Sequence, residues 1–384
     1  MHKIKYLHSN LSKGFVALFS GRLFQFVANG LLGLFLPIFF LDKLDGRVEF
    51  VFLYYLIGHL AYTIFVPFGV KYLNKIGLNN SLRISIVFWC LFYIVLFNVD
   101  KNIHLYLSLS IVVLTLLRMM FWIPYHVDIA EFTDKRDRGK EVSILWGART
   151  ILGVIMPVVA GFLLAKFSFN FVFVLAMIIY ASALIPFIKL PEIDEKYSWG
   201  YLETFKKCFA PETKKVFFAN MANGAENAVG LIIWPIFIFL ALDGDFLKVG
   251  VISSLIVFVT VMLQLSVGKY TDSINKRKML KLGSLFYASG WLAKIFVLTA
   301  GQIFVVGTYH SLALILKDTP FDTLNYEILA DQGHYIDEYT VVKEVAVNLG
   351  KVFILAFAIV VAFNFGLNWT FALAALASLF INVL

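Results

Sequence analysis

Twelve apolar stretches separated by short polar links run the length of this chain, at 15–40, 48–70, 82–98, 104–128, 142–166, 170–190, 215–241, 247–268, 281–300, 302–328, 340–363 and 367–384. A helix needs about 20 mostly apolar residues to cross the hydrocarbon core of a bilayer. Inside that core every backbone N–H and C=O must be bonded within the protein, so only helices and closed barrels cross it. Barrel strands run about 10 residues and alternate in polarity. The stretches here are longer and uniformly apolar, so an all-α integral membrane protein with 12 transmembrane helices is expected. Composition agrees: 15% of the residues are charged, against about 25% in soluble domains.

The links orient the chain. With the N-terminus inside, the inner links hold 21 Lys and Arg and the outer links hold 5. Cytoplasmic loops carry such an excess, so both termini are expected in the cytoplasm and the protein in the cell membrane. The net charge of +8 sits in these links and calls for membrane lipid rather than nucleic acid. Cys90 and Cys208 are the two cysteines, which gives no disulfide or metal framework. No Gly-rich phosphate loop followed by Lys is present, so direct ATP drive is not expected. No metal, no other cofactor and no enzymatic chemistry are expected either.

The chain also repeats itself. "LPIFFLDKLDG" (36–46) aligns with "WPIFIFLALDG" (234–244) at an offset of 198, which carries Pro37 onto Pro235 and Asp45-Gly46 onto Asp243-Gly244. The same offset carries Val70-Lys71-Tyr72-Leu73-Asn74 onto Gly268-Lys269-Tyr270-Thr271-Asp272. Duplication at half length marks secondary-transporter folds. It predicts an N-terminal six-helix bundle (1–190), a cytoplasmic linker (191–214) and a C-terminal six-helix bundle (215–384). The linker mixes charges with Trp199, Tyr201, Leu202, Phe205 and Phe209, a pattern for an amphipathic helix on the inner membrane surface.

The link between the second and third spans of the second half reads "GKYTDSINKRK" (268–278). It resembles the signature loop of the major facilitator superfamily, in which a Gly and then an Asp precede a cluster of Arg and Lys: here Gly268, Asp272, and Lys276, Arg277 and Lys278. The first half is similar in "VKYLNKIGLNN" with Gly77, though Asn74 replaces the Asp and the basic cluster is missing. "AEFTDKRDRGKEV" (130–142), with Glu131 and Arg138, resembles the family's acidic-then-Arg-Gly loop. "GVIMPVVAG" (153–161) resembles the Gly-Pro-Gly pattern that some members, often exporters, carry in span five. The resemblance implies two pseudo-symmetric bundles that expose a central site to each side in turn. It also implies gating roles near the inner surface for Gly268, Asp272, Arg277, Asn74, Gly77, Glu131, Arg138 and Arg149.

Ionisable groups deep in a bilayer are costly and point to function. The deep set is His59, Arg118, Glu226, His310, Lys317, Asp318 and Lys351, with Asp322 one turn further in. The resemblance places spans one, four, seven and ten around the cavity. Arg118, Glu226, Asp318 and Asp322 are then expected to bind the solute and couple its movement to protons, aided by Lys317, Asn223 and Asn227, with Trp122 and Trp234 as stacking walls. An offset of 200, carried from Ala130-Glu131 onto Ala330-Asp331, would set Arg118 opposite Asp318. His59 has no evident partner and reads equally as a packing histidine. Lys294, in span nine, is expected to snorkel to the outer surface. The function expected is secondary active transport of a small polar or amphipathic solute by a monomer, with the proton as coupling ion. The alternative is a non-transporting membrane protein, scramblase-like or a sensor, on the same scaffold.

Overall fold

The computed structural model describes residues 12–132, 138–192, 197–271, 275–330 and 336–384, with the side chains of 129–143, 265–274 and 326–337 left out. Twelve helical segments follow one another: α1 (Lys13–Lys43), α2 (Val48–Ile76), α3 (Leu78–Phe97), α4 (Ile103–Phe132), α5 (Arg138–Lys166), α6 (Phe169–Ile188), α7 (Lys214–Ala241), α8 (Phe246–Thr271), α9 (Lys276–Lys294), α10 (Ala300–Ala330), α11 (Ile336–Phe365) and α12 (Leu367–Val383). Among the described residues, nine are long and apolar enough to cross a membrane. The other three fail for local reasons. α9 opens on Lys276, Arg277, Lys278 and Lys281, α10 carries His310, Lys317, Asp318 and Asp322, and α12 is short.

The main helix pairings in one half have their counterparts in the other. α1 packs on α5 and α6 as α7 packs on α11 and α12; α3 packs on α4 and α6 as α9 packs on α10 and α12; α2 packs on α4 as α8 packs on α10. Between the halves, α2 lies on α11 and α5 lies on α8. The repeat extends to the backbone. Asp45 and Asp243 adopt φ of 55° and 56°, and Gly46 and Gly244 adopt 73° and 77°. Asp tolerates this left-handed region better than most residues and Gly enters it freely, so the Asp-Gly pair makes the same turn twice. Above each turn the helix is interrupted. Pro37 follows a break at 33–35 in α1, and Pro235 follows a π-helical turn at Val229–Ile233 in α7. A proline supplies no N–H to the carbonyl one turn back and crowds it, which loosens both helices at equivalent places.

Many large apolar side chains are exposed on the outer faces, among them Phe68, Val87, Ile151, Ile178, Ile185, Phe363 and Phe365. Lipid supplies their solvent, which a soluble protein could not offer. The linker forms a helix at Tyr201–Cys208, with Thr204 and Cys208 buried and Leu202 and, just beyond it, Phe209 exposed. Tyr201 stacks on Phe68 of α2 at 4.2 Å. The backbone N–H and side-chain hydroxyl of Ser198 both donate to Glu338 Oε1 of α11, at 3.2 and 2.7 Å.

Candidate functional site

Glu226 lies on α7 three residues before the π turn. Its Oε1 accepts from Lys317 Nζ of α10 at 2.5 Å, and its Oε2 accepts from the Tyr287 hydroxyl of α9 at 2.6 Å. The Lys317 side chain is 0% exposed and that of Glu226 is 2% exposed. Lys317 also donates to Asn223 Oδ1 at 2.9 Å, pairs with Asp318 at 2.9 Å, and lies over the Tyr287 ring at 4.7 Å. Asp318 is half-exposed at 43%. The result is one ammonium held between two carboxylates, one sealed and one open. Asp322 lies near enough to feel the charges of Lys343 and Lys317 but makes no ion pair among the described residues.

A second cationic group adjoins the first. Lys294 is 3% exposed and does not snorkel, contrary to expectation. Its Nζ sits over the rings of Trp291 and Trp234 at 3.9 and 4.1 Å and lies 3.0 Å from His310 Nδ1. Two aromatic faces attract the cation strongly once water is excluded, so the side chain turns inward. Trp234 is therefore occupied by Lys294 and Phe237 and is not a bare stacking wall. His310 stacks on Tyr287 at 4.1 Å, which links the two groups.

Arg118 does not face Asp318. Its NH1 lies 3.3 Å from His59 Nδ1 and 3.5 Å from the carbonyl oxygen of Gly58, both on α2. The expected offset of 200 fails in this region. With Pro124 of α4 set on Pro320 of α10, Arg118 falls on Leu314, which carries no charge. His59 does have a partner: Nδ1 lies 2.8 Å from Asn348 Oδ1 of α11, across the boundary between the halves. Asn227 is exposed, apart from the Glu226 group. Trp122 stacks on His126 at 6.0 Å and meets Phe121 and Tyr125 edge-on.

The residues expected near the inner gate separate. Asp272 lies outside the described residues, and the side chains of Glu131 and Arg138 lie outside the description; Gly268 is within α8. Arg277 is exposed in the first turn of α9, where its N–H donates to Asn275 Oδ1 at 3.0 Å. Gly77 has φ of 85° and joins α2 to α3, so its role there is the turn. Asn74 bonds the linker at Tyr197, and Arg149 lies over the Trp146 ring at 5.0 Å. Tyr287 was not visible as a site residue in the sequence, because span nine reads as peripheral and tyrosines are common here. A groove where the start of α2 meets the end of α11, lined by Arg47, Glu49, Phe50, Ile359, Val360, Phe363 and Asn364, is separate from all these groups.

Comparison with known proteins is consistent with this architecture. YqgE, an uncharacterized protein of Bacillus subtilis (strain 168), is 21% identical over 318 residues, which span 80% of this chain and 71% of YqgE. A POT family transporter solved in complex with 5-aminolevulinic acid superposes with a TM-score of 0.72 at 11% identity, over 96% of this chain and 94% of that one. The human organic anion transporter MFSD10 (TETRAN) superposes with a TM-score of 0.67 at 12% identity, over 98% and 100%. These likenesses speak to the fold. The sequence profile of the Major Facilitator Superfamily matches residues 18–316, well over half of the chain. The chain is thus a multi-pass membrane protein that belongs to the Major Facilitator Superfamily, whose members move solutes rather than convert them.

Proposed function

We propose that the protein is a secondary active transporter that carries a small polar or amphipathic solute by alternating access and couples it to protons. The observation that supports this most is the buried Glu226–Lys317 pair at 2.5 Å, next to the half-exposed Asp318. A carboxylate that alternates between a lysine partner and an apolar wall takes up and gives off a proton once per cycle. Asp318 offers the same lysine a second partner, so the pair with Glu226 can open without stranding the cation. The π turn at Val229–Ile233 is the irregular kind of helix that borders transporter sites. In this reading residues 1–190 and 215–384 are the two moving bundles and 191–214 the cytoplasmic linker. The protein acts as a monomer in the cell membrane with both termini inside. Asp272, Gly268, Arg277, Glu131, Arg138 and Arg149 serve the inner gate, and Asp322 assists the proton step.

The test is uptake into proteoliposomes with an imposed pH gradient, using a solute selected by thermal stabilisation of the purified protein. Glu226→Gln is expected to exchange the solute across the membrane but not to concentrate it. pH-driven accumulation equal to wild type would remove Glu226 as the coupling acid. Flux that ignores the gradient in the wild type would remove proton coupling altogether.

A further inference from the structure

Where α2, α4 and α11 meet, two cations are left without an ion pair among the described residues. Arg118 is at mid-length in α4, Lys351 at mid-length in α11, and both are half-buried. The charge of each is felt by His59 between them. Among the described residues neither makes an ion pair, and Lys351 makes no hydrogen bond.

The hydrogen-bond directions sharpen this. Asn348 Nδ2 donates to the Glu344 carbonyl one turn back at 2.8 Å, so the oxygen of that amide is the atom facing His59. His59 Nδ1 must then carry the hydrogen and donate to Asn348 Oδ1 at 2.8 Å. A nitrogen that donates cannot also accept from Arg118. The approach of Arg118 to His59 at 3.3 Å is therefore a contact and not a hydrogen bond. This leaves a five-donor guanidinium with one long contact, to the Gly58 carbonyl at 3.5 Å. The acid whose charge reaches both cations is Glu344, and its carboxylate is engaged with Asn348 Nδ2 at 3.4 Å.

The contrast with the C-terminal bundle is direct. There Lys317 meets two carboxylates and Lys294 lies between two indoles. A deep cation with neither kind of partner is expensive to keep, unless the partner arrives from outside. Guanidinium presents a planar fork that fits carboxylate and phosphate oxygens, and a lysine beside it adds a point charge.

We infer that Arg118 and Lys351, with His59 and Asn348 fixing their surroundings, form the binding place for a carboxylate- or phosphate-bearing solute. This rests on the transporter reading and gives it a substrate class. The site joins both bundles, because Arg118 and His59 belong to one and Asn348 and Lys351 to the other. An anion bound there bridges them.

The test is binding to the purified full chain in detergent, read as a thermal shift at constant ionic strength against chloride. The probes are benzoate, succinate, glycerol 3-phosphate and inorganic sulfate, with benzamide, succinamide and glycerol as uncharged controls. Dioleoylphosphatidylglycerol is titrated separately. Wild type is expected to be stabilised by one or more of the water-soluble anions and by none of the controls. Lys351→Gln should weaken that binding by roughly tenfold or more, and Arg118→Gln should abolish it. Glu344→Gln removes the competing acid and should strengthen it, a gain that a misfolded variant cannot show. Lys351→Arg should keep it. Three outcomes would each overturn the proposal: no shift with any of the four anions, a shift undiminished in both Lys351→Gln and Arg118→Gln, or a response confined to the lipid. Flux without anion binding leaves the transporter reading standing, and anion binding without flux leaves the site standing.

Discussion

Asn74, near the C-terminal end of α2, holds both backbone groups of Tyr197 in the linker: its Nδ2 donates to the carbonyl oxygen at 2.8 Å and its Oδ1 accepts from the N–H at 3.0 Å. The next residue, Ser198, is held by Glu338 of α11. Two consecutive linker residues thus tie down to opposite bundles. The resemblance leads one to expect Asp at 74, but a carboxylate accepts and cannot donate. Asn74→Asp should therefore lose one bond and set a negative charge against a carbonyl. A loss of about 1 kcal/mol is expected, seen as a lower melting temperature in detergent, together with faster proteolysis within the linker. An unchanged melting curve would mean the contact contributes nothing.

Lys317→Ala should be far more damaging, because it takes the cation from between two carboxylates and leaves buried Glu226 with only the Tyr287 hydroxyl. Breaking a buried pair from one side costs ~3–5 kcal/mol. Glu226→Gln combined with Lys317→Gln should recover most of the melting temperature but not pH-driven accumulation. A double variant that melts as low as Lys317→Ala would show that the pair is not the source of the loss.

The sequence already marked Glu226, Lys317 and Asp318 as costly, because charge inside an apolar run stands out against its background. Span number and the 198-residue repeat were legible for the same reason: both are patterns along the chain. Partners were not legible. Arg118 was set opposite Asp318 by carrying an offset from one end of a helix to its middle, where the two prolines imply a different alignment. Lys294 was assigned to the surface because lysine ordinarily reaches it, and only the placement of Trp291 and Trp234 on either side shows why it does not. Contacts across helices depend on rotation about each axis, which hydropathy alone does not fix when nearly every face is apolar.

Lys294→Met tests that inward placement. The substitution keeps the side chain's length and removes a buried charge that has no carboxylate partner among the described residues. It should melt no lower than wild type, since a shape-matched apolar replacement of a buried ion is often neutral or stabilising. A large fall in melting temperature would show that the two indole faces contribute more than desolvation costs.

Cys208, on the buried face of the linker helix, gives a pH-dependent prediction outside the membrane. Burial pushes its thiol up to about 12. The thiolate is the reactive form, so below pH 9 the folded protein should resist maleimide at this position, and labelling should appear once the chain is denatured. Rapid labelling of the folded protein at pH 7.5, measured in a Cys90→Ala background, would show that the linker helix leaves its berth.

The two seams between the bundles are built differently. Along α2 and α11 they meet through His59 and Asn348. Along α5 and α8 backbone meets backbone: a Cβ added at Gly161 would lie 2.5 Å from the Phe246 carbonyl oxygen, and one at Gly250 would strike the Pro157 carbonyl. Of the Gly-Pro-Gly pattern of span five, Gly161 and Pro157 thus serve close approach, whereas a Cβ at Gly153 would meet nothing nearer than 3.9 Å. One side-chain bond crosses that face, from the Val158 N–H to Ser254 Oγ at 3.1 Å, so a shift along it breaks little else. Relative movement of the bundles would find a plain bearing on one side and a detent on the other, and the resting positions would be set by the side that carries the histidine.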